Sequence, residues 1–253
     1  MVEINAHQRR LLIGTGFIAA LGALIVGVGE FTFQFSPLGG YEGSDYLYFL
    51  DVSQSRLTLG HFIAVLAAPL YLVGYWHIAQ MLRPAGRWLA AEVFGLGVYA
   101  FIIGDVWLGG RVNLALTVKA RDAAPDASAA LFSDLLGDIS AHNEPLINVV
   151  RVLVLIISIL MVCGILTGKS RYPRWIIIFS PIVIVIQIFA IYVIAPGAGV
   201  YLLPAAMNIA HFIFFALSTW AAMQIQASDV PKAHMTESLT GQEPPSQQPL
   251  AGA

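Results

Sequence analysis

The stretch LINVVRVLVLIISILMVCGILTG, residues 146–168, decides the fold, because it is apolar along almost its whole length and carries one charged residue. A helix that rises about 1.5 Å per residue would take such a stretch across a hydrocarbon core about 30 Å thick. Similar apolar runs occupy residues 11–30, 57–82, 88–110, 175–195 and 204–225. We therefore expect an all-α fold, a polytopic membrane helix bundle with six transmembrane helices.

The composition of the whole chain agrees with this interpretation. It is 58% hydrophobic and 11% charged, whereas soluble domains contain about 25% charged residues, so a water-soluble globule is excluded. The apolar runs are continuous, which also excludes the alternating strands of a membrane β-barrel. The net charge of −2 provides no basic surface for nucleic acid. No phosphate loop, Rossmann fingerprint or paired CxxC motif occurs, so the sequence predicts no cofactor.

Positive charges are concentrated on one side of the predicted bundle. The short segments 1–10, 83–87 and 169–174 carry seven Lys and Arg residues, whereas the three longer loops on the other side carry four. By the positive-inside rule both termini are cytoplasmic, which predicts a multi-pass protein of the cell membrane. We divide the chain into a six-helix transmembrane domain, residues 1–227, and a disordered cytoplasmic tail, residues 228–253, that is poor in large apolar residues.

Polar side chains occur near the outer ends of several predicted helices. Five of them lie about 6 to 10 Å deep, counted at about 1.5 Å per residue from the outer helix ends: His61, Asp105, Arg151, Asn208 and His211. Glu30 ends the first helix and Glu144 opens the fourth, so both reach the same layer. Because ionisable groups in hydrocarbon are costly, we expect a polar, water-accessible cavity near the outer leaflet.

The fourth predicted helix presents three of these groups on one face. Glu144, Asn148 and Arg151 are spaced i, i+4, i+7, and this face is expected to point into the bundle because lipid offers no partners. Arg151 then needs a carboxylate, for which Asp105 is the first candidate and Glu30 the second. Two interpretations stay open: a buried clasp that fixes helix packing, or a solvated cavity whose charges handle a substrate.

The outer loops contain further patterns. In residues 111–145 a polar start at Asp126 is followed by apolar residues at helical spacing, which predicts a short amphipathic helix on the outer surface. Pro145 would then lie in the first turn of the next span. Tyr46 and Tyr48 in the first loop suit a membrane interface, as a packed loop without a ligand role or as part of a binding site.

We assign the following roles to the polar layer. The predicted catalytic residues, which act as an acid and its partner base, are Asp105, Glu144, His61 and His211. The predicted substrate-binding residues, with Arg151 orienting an anionic head group, are Arg151, Asn148, Asn208 and Glu30. No metal is predicted, since the local H-x-x-x-H and H-E-x-x-H spacings are missing. On the cytoplasmic side, His77 and Glu92 are interpreted as interface anchors.

Three functions fit this layer. The first is an integral membrane enzyme doing acid-base chemistry on a lipid or isoprenoid ligand, with membrane lipids as its only predicted partners. The second is a small-solute or proton-coupled transporter, because three spans in each half would permit an inverted repeat. The third is a non-catalytic sensor or assembly protein in which the polar groups only hold helices together. The oligomeric state stays open.

Four segments carry a resemblance to a known family: LGH at 59–61, LYLVGYWHI at 70–78, FIIGDVWLGG at 101–110 and NIAHFIFF at 208–215. With them the chain resembles a family of uncharacterised bacterial multi-pass membrane proteins of unknown function. The resemblance implies a six-helix membrane fold and transfers no site roles. Membrane hydrolases of the alkaline ceramidase and adiponectin-receptor type have H-x-x-x-H in their last helix, but here Phe215 stands where the second histidine would be.

Overall fold

The computed structural model describes residues 4–41, 43 and 45–226, and this part of the chain is built from α-helices, as predicted. The predicted tail, residues 228–253, lies outside the described residues. The helices are α1 Ala6–Gln34, α2 Gln54–Ala67, α3 Leu70–Leu82, α4 Arg87–Ala123, α5 Asp126–Leu166, α6 Pro181–Ile194, the single turn α7 Pro196–Gly199, and α8 Ala206–Met223.

Five helical segments of the described chain are long and apolar enough to cross a membrane. They are Ala6–Gln34, Gln54–Ala85, Arg87–Ala123, Asp126–Leu166 and Leu203–Met223. Each contains or closely overlaps one of the predicted spans. The remaining predicted span, 175–195, is divided: a 3₁₀ helix, Arg174–Phe179, precedes α6, which has 14 residues. Pro181 occupies the first turn of α6, which is where a helix tolerates proline.

Proline also divides the second span. Pro69 has no N–H to donate to the preceding turn, and α2 accordingly ends at Ala67 before α3 begins at Leu70. A proline in the interior of an apolar helical run produces an interruption of this kind. Ser53 starts the first of these helices, since its hydroxyl accepts a hydrogen bond from the backbone N–H of Arg56 at 3.3 Å.

The second long loop is helical, which corrects the expectation for residues 111–145. Helix α4 continues to Ala123 with 37 residues, and α5 has 41 residues. The start of a helix at Asp126 is confirmed, but this helix is continuous with the following span and contains Pro145 in its interior. Apolar residues explain the extension, because Leu114 of α4 and Leu136 of α5 are buried where the helices meet the first outer loop.

Helix α1 is central, since it packs against α2, α3 and α8. Helix α4 packs against α3 and α5, and α6 contacts both α5 and α8. Large apolar side chains such as Phe17 and Leu66 remain exposed, at 56% and 76%. Exposed apolar surface of this kind suits a lipid environment, which the lengths of the helices also indicate.

Candidate functional site

A cavity of about 100 Å³ lies between α1, α3, α4, α5 and α8. Its apolar wall on α5 is formed by Ile147, Val150 and Val154. Its polar lining comes from four of the predicted site residues and two tyrosines: Glu30, Asp105, Asn208, His211, Tyr71 and Tyr75. The structure therefore brings Glu30, Asp105, Asn208 and His211 to one site, as the sequence predicts.

Glu30 is held by two amides in the wall of the cavity. The Nδ2 of Asn208 donates to Oε2 of Glu30 at 2.5 Å, and the Nε2 of Gln34 donates to Oε1 at 2.9 Å. The hydroxyl of Tyr71 donates to Oδ1 of Asn208 at 2.5 Å. Glu30 and Asn208 are buried, at 6% and 7% exposed. Both carboxylate oxygens are thus satisfied, which a buried acid requires.

His211 forms the second hydrogen-bonded pair of the cavity. Its Nδ1 is 2.8 Å from the carbonyl oxygen of Met207, which can only accept, so Nδ1 carries the proton. In the neutral ring Nε2 is then an acceptor, and the hydroxyl of Tyr75 donates to it at 3.0 Å. His211 is therefore oriented by its own helix and fixed to α3 by Tyr75.

Asp105 differs from Glu30, the other acid of the cavity, because one of its oxygens is free. Its Oδ1 is buried and has no hydrogen-bond partner in the described part of the chain. Asp105 interacts electrostatically with His61 of α2, whose buried Nδ1 also lacks a partner among those residues. His61 does not line the cavity, so the structure places this predicted base outside the cavity lining, where it acts on Asp105 electrostatically.

A buried arginine that we did not select from the sequence lies above the cavity. Arg111 is 6% exposed, and its Nη1 donates to Oε1 of Glu144 at 2.7 Å. Its Nη2 donates to the hydroxyl of Tyr48. On α4, Arg111 follows the cavity residues Gly104 and Leu108 at helical spacing, so it lies on the same face of α4, about 4.5 Å beyond Leu108.

Aromatic rings surround the guanidinium of Arg111. Its Cζ lies 5.1 Å from the ring centre of Trp107 and 5.3 Å from that of Tyr46. Burial raises the pKa of Tyr48 above its usual value, so its phenol stays protonated and its oxygen can accept from Arg111. The first outer loop, including a 3₁₀ turn at Leu47–Asp51, therefore covers the charge with rings and one phenol oxygen. Trp107, one of these rings, also lines the cavity, so the Arg111 site and the cavity share this side chain.

Two predicted site residues face away from the cavity. Arg151 and Asn148 are exposed on α5, where Nη1 of Arg151 donates to Oδ1 of Asn148 at 2.9 Å. The expectation that this face points into the bundle is wrong, and so is the predicted pairing of Arg151 with Asp105. The inward face is displaced by one position: Ile147 and Val150 line the cavity, and an offset of one residue rotates a helix by about 100°.

A second polar cluster lies farther along α3 and α8. The Nε2 of His77 is 2.7 Å from Oγ of Ser218, which is 2.9 Å from the hydroxyl of Tyr172. The hydroxyl of Thr15 donates to the carbonyl of Leu11 at 2.8 Å and lies 3.2 Å from Nδ1 of His77. His77 is fully buried, so the expected interface anchor is instead an internal link between α1, α3 and α8.

The described residues, 4–41, 43 and 45–226, contain no cluster of side chains that would support metal binding. No group of three or more His, Cys, Asp or Glu side chains in that part of the chain could hold an ion. His61, Asp105 and His211 therefore do not form the three-ligand set that a catalytic zinc ion needs.

Helices of membrane length around a partly polar cavity define the class of this protein as a helical membrane protein. More particularly, the chain belongs to a family described as Family of unknown function (DUF6796), whose sequence model matches residues 8–224. Neither the curated proteins nor the solved structures compared with the chain give a match.

Proposed function

We propose that this protein is an integral membrane enzyme that takes the uncharged end of a lipid or isoprenoid molecule into the cavity and exchanges a proton with it through Asp105. The observation that carries the proposal is the buried Oδ1 of Asp105, which lines the cavity and has no partner in the described chain. A buried polar group without a partner is costly, so its presence calls for an explanation, and a catalytic role supplies one.

The charges around the cavity favour an uncharged ligand. Glu30 and Asp105 both line it, whereas the nearby cation Arg111 is already paired with Glu144. An anionic head group would meet two acids and no Lys or Arg among the described residues that line the cavity. Arg151, which was expected to orient such a head group, is exposed elsewhere. An isoprenoid chain, apolar and with double bonds that accept a proton, fits the cavity better.

Asp105 would act first as the acid and then, as its carboxylate, as the base. In its acid form Asp105 donates a proton to one carbon of a double bond, and the electron pair of that bond forms the new C–H bond. The carbocation left on the other carbon loses a proton from a neighbouring carbon, which restores a double bond. The Asp105 carboxylate left by the first step accepts that proton, which restores its acid form, while His61 acts on Asp105 electrostatically from outside the cavity lining. His211 and Glu144, assigned catalytic roles from the sequence, would instead position Tyr75 and Arg111.

The packing below the cavity supports an enzyme over a transporter. Phe214 and Phe215 of α8 are fully buried and separate His211 from the cluster at Ser218. The ring of Phe215 fits against Gly74 so closely that a Cβ there would be 2.5 Å from its Cζ. A transported solute would need a path through this aromatic layer.

We also propose that the chain crosses the membrane six times, with both termini in the cytoplasm. The 3₁₀ helix Arg174–Phe179 and α6 together reach about 33 Å, at about 2 Å and 1.5 Å per residue, which is enough for one crossing. The excess of Lys and Arg in segments 1–10, 83–87 and 169–174 supports this orientation.

Deuterium incorporation tests the chemistry. Protein in phosphatidylcholine vesicles that contain geranylgeraniol is incubated in heavy water. The alcohol is then extracted, and its mass is measured by mass spectrometry. We expect the wild-type protein to place deuterium on carbon and Asp105→Asn to lose this activity, while Arg151→Gln retains it. Equal incorporation by wild type and Asp105→Asn, or none by wild type, would overturn the proposal.

A further inference from the structure

We propose that the ligand is a lipid alcohol that reaches the cavity sideways from the bilayer, between α1 and α8, with the side chain of Asn208 as the gate. This inference rests on the proposed function, because it concerns the same cavity. It adds the chemical class of the end group and the route by which that group arrives.

A groove on the outside of the bundle leads to the cavity wall. Its volume is about 240 Å³, and it lies where α1 and α8 meet, within two segments of membrane length. Among its lining residues are Leu24 and Gly27 of α1 and Ile209 and Phe212 of α8. Asn208 lines both the groove and the cavity. Asn208 is therefore the residue that the groove and the cavity share.

Gly27 makes the partition at Asn208 thin. A Cβ at Gly27 would lie 3.1 Å from the Cβ of Asn208, with no other atom within 4 Å. Because glycine contributes no side chain, α1 places nothing beyond its backbone between the groove and Asn208. Rotation of the Asn208 side chain about its own bonds would therefore move its amide away from Glu30, while its Cβ stays against Gly27.

The hydrogen bonds of Asn208 define what can replace it. Its Nδ2 donates to Oε2 of Glu30, and its Oδ1 accepts from the hydroxyl of Tyr71. When the side chain rotates away, one buried acceptor and one buried donor lose their partner, which is costly. A hydroxyl group supplies both functions from one atom, since it donates one hydrogen bond and accepts two. Ethers and ketones cannot donate to Glu30, and an ammonium group cannot accept from Tyr71.

The sizes of the cavity and of the groove indicate which part of the ligand each of them holds. The cavity, about 100 Å³, is smaller than the cavity of about 150 Å³ that admits one benzene molecule in a well-studied engineered protein. It therefore takes the hydroxyl end and its first few carbons. The groove is apolar and open to the bilayer, so the remaining chain lies along it, in contact with Leu24 and Phe212.

Two exposed leucines of α1 give a matched test of the route. Leu24 lines the groove, whereas Leu21, one turn earlier, is 53% exposed and does not line it. Delipidated protein is mixed with phosphatidylcholine vesicles containing geranylgeraniol, and the bound alcohol is followed over time by native mass spectrometry. We expect Leu24→Trp to slow binding severalfold and Leu21→Trp to bind as the wild type does. Equal rates for the two variants would overturn the lateral route.

The methyl ether of geranylgeraniol tests the chemical class. It lacks the donor for Glu30, so we expect it to bind about tenfold more weakly, the loss of one hydrogen bond worth about 1.4 kcal/mol. Binding equal to that of the alcohol would overturn the gate. If wild type incorporates deuterium but Leu24→Trp binds at the wild-type rate, only this inference fails. If the alcohol binds but no deuterium appears on carbon, only the proposed chemistry fails.

Discussion

Arg111 shows how a charge can be stable inside this bundle. Its two terminal nitrogens donate to Glu144 and Tyr48, and rings cover the faces of the guanidinium. In the sequence it stands just after the apolar run 88–110, among the four Lys and Arg residues of the three longer loops. The signal that could have identified it was its helical spacing after Trp107, combined with the tyrosine-rich first loop. Its partner is in another helix, which a sequence alone does not indicate.

Removal of Arg111 should destabilise the protein, because Glu144 would lose its cation. For Arg111→Gln we expect a loss of about 3 kcal/mol, the low end for a broken buried pair, since the Glu144 side chain is 38% exposed. Arg151→Gln is the control, expected to change stability by less than about 0.5 kcal/mol because it lies on the exposed face of α5.

Thermal unfolding in detergent measures both variants. The double variant, Arg111→Gln with Glu144→Gln, leaves no uncompensated charge. Its loss of stability should therefore be smaller than the sum of the losses of the two single variants. Additive losses would mean that the pair does not interact, and a larger loss for Arg151→Gln would mean that α5 is rotated.

The depth of the site residues along their helices could be predicted from the sequence, but the direction in which each side chain points could not. Depth along the helices placed Glu30, Asp105, Asn208 and His211 in one layer, and all four line the cavity. Depth does not determine rotation about the helix axis, which is why Arg151 was placed on the wrong face. The cavity-lining tyrosines Tyr71 and Tyr75 were missed for a related reason, since aromatic residues in an apolar run do not stand out.

At the scale of helices, the lengths of the apolar runs and the positions of the prolines predict most of the helices. They do not predict where α4 ends and where α5 begins. Pro69 separates α2 from α3, since a proline inside a helix removes a backbone hydrogen bond. Helices α4 and α5 continue beyond the predicted spans because apolar residues such as Leu114 are buried against the first outer loop. Hydropathy windows end where charges begin, so they do not detect a helix that continues outside the hydrocarbon with a buried apolar face.

Helix α6 gives a testable statement about topology. If Arg174–Phe179 and α6 together cross the membrane, the two termini lie on the same side. We expect reporter tags at the N terminus and at the C terminus to be accessible only from the cytoplasm, and a tag at Gly197, after α6, only from the other side. Termini on opposite sides would mean five crossings and a re-entrant or interfacial α6.

For the whole molecule, the membrane class followed from composition, whereas the function did not. The membership of a family of unknown function leaves the site geometry as the argument for chemistry. Five helices enclose a small cavity with an unpaired acid, and one of its walls, Asn208, is shared with a groove on the bilayer side. Such an arrangement depends on contacts between helices far apart in the chain, which periodicity and spacing cannot predict.

The central claim is that the cavity holds the end of a lipid molecule, and native mass spectrometry of the gently purified protein tests it most directly. A matched pair on α4 sharpens the test: Gly104→Leu fills the cavity, which Gly104 lines, whereas a side chain at Gly109 meets no atom within 4 Å. We predict a neutral lipid adduct on wild type and Gly109→Leu that is missing from Gly104→Leu. A wild-type protein without an adduct, or an equal adduct on Gly104→Leu, would contradict the account.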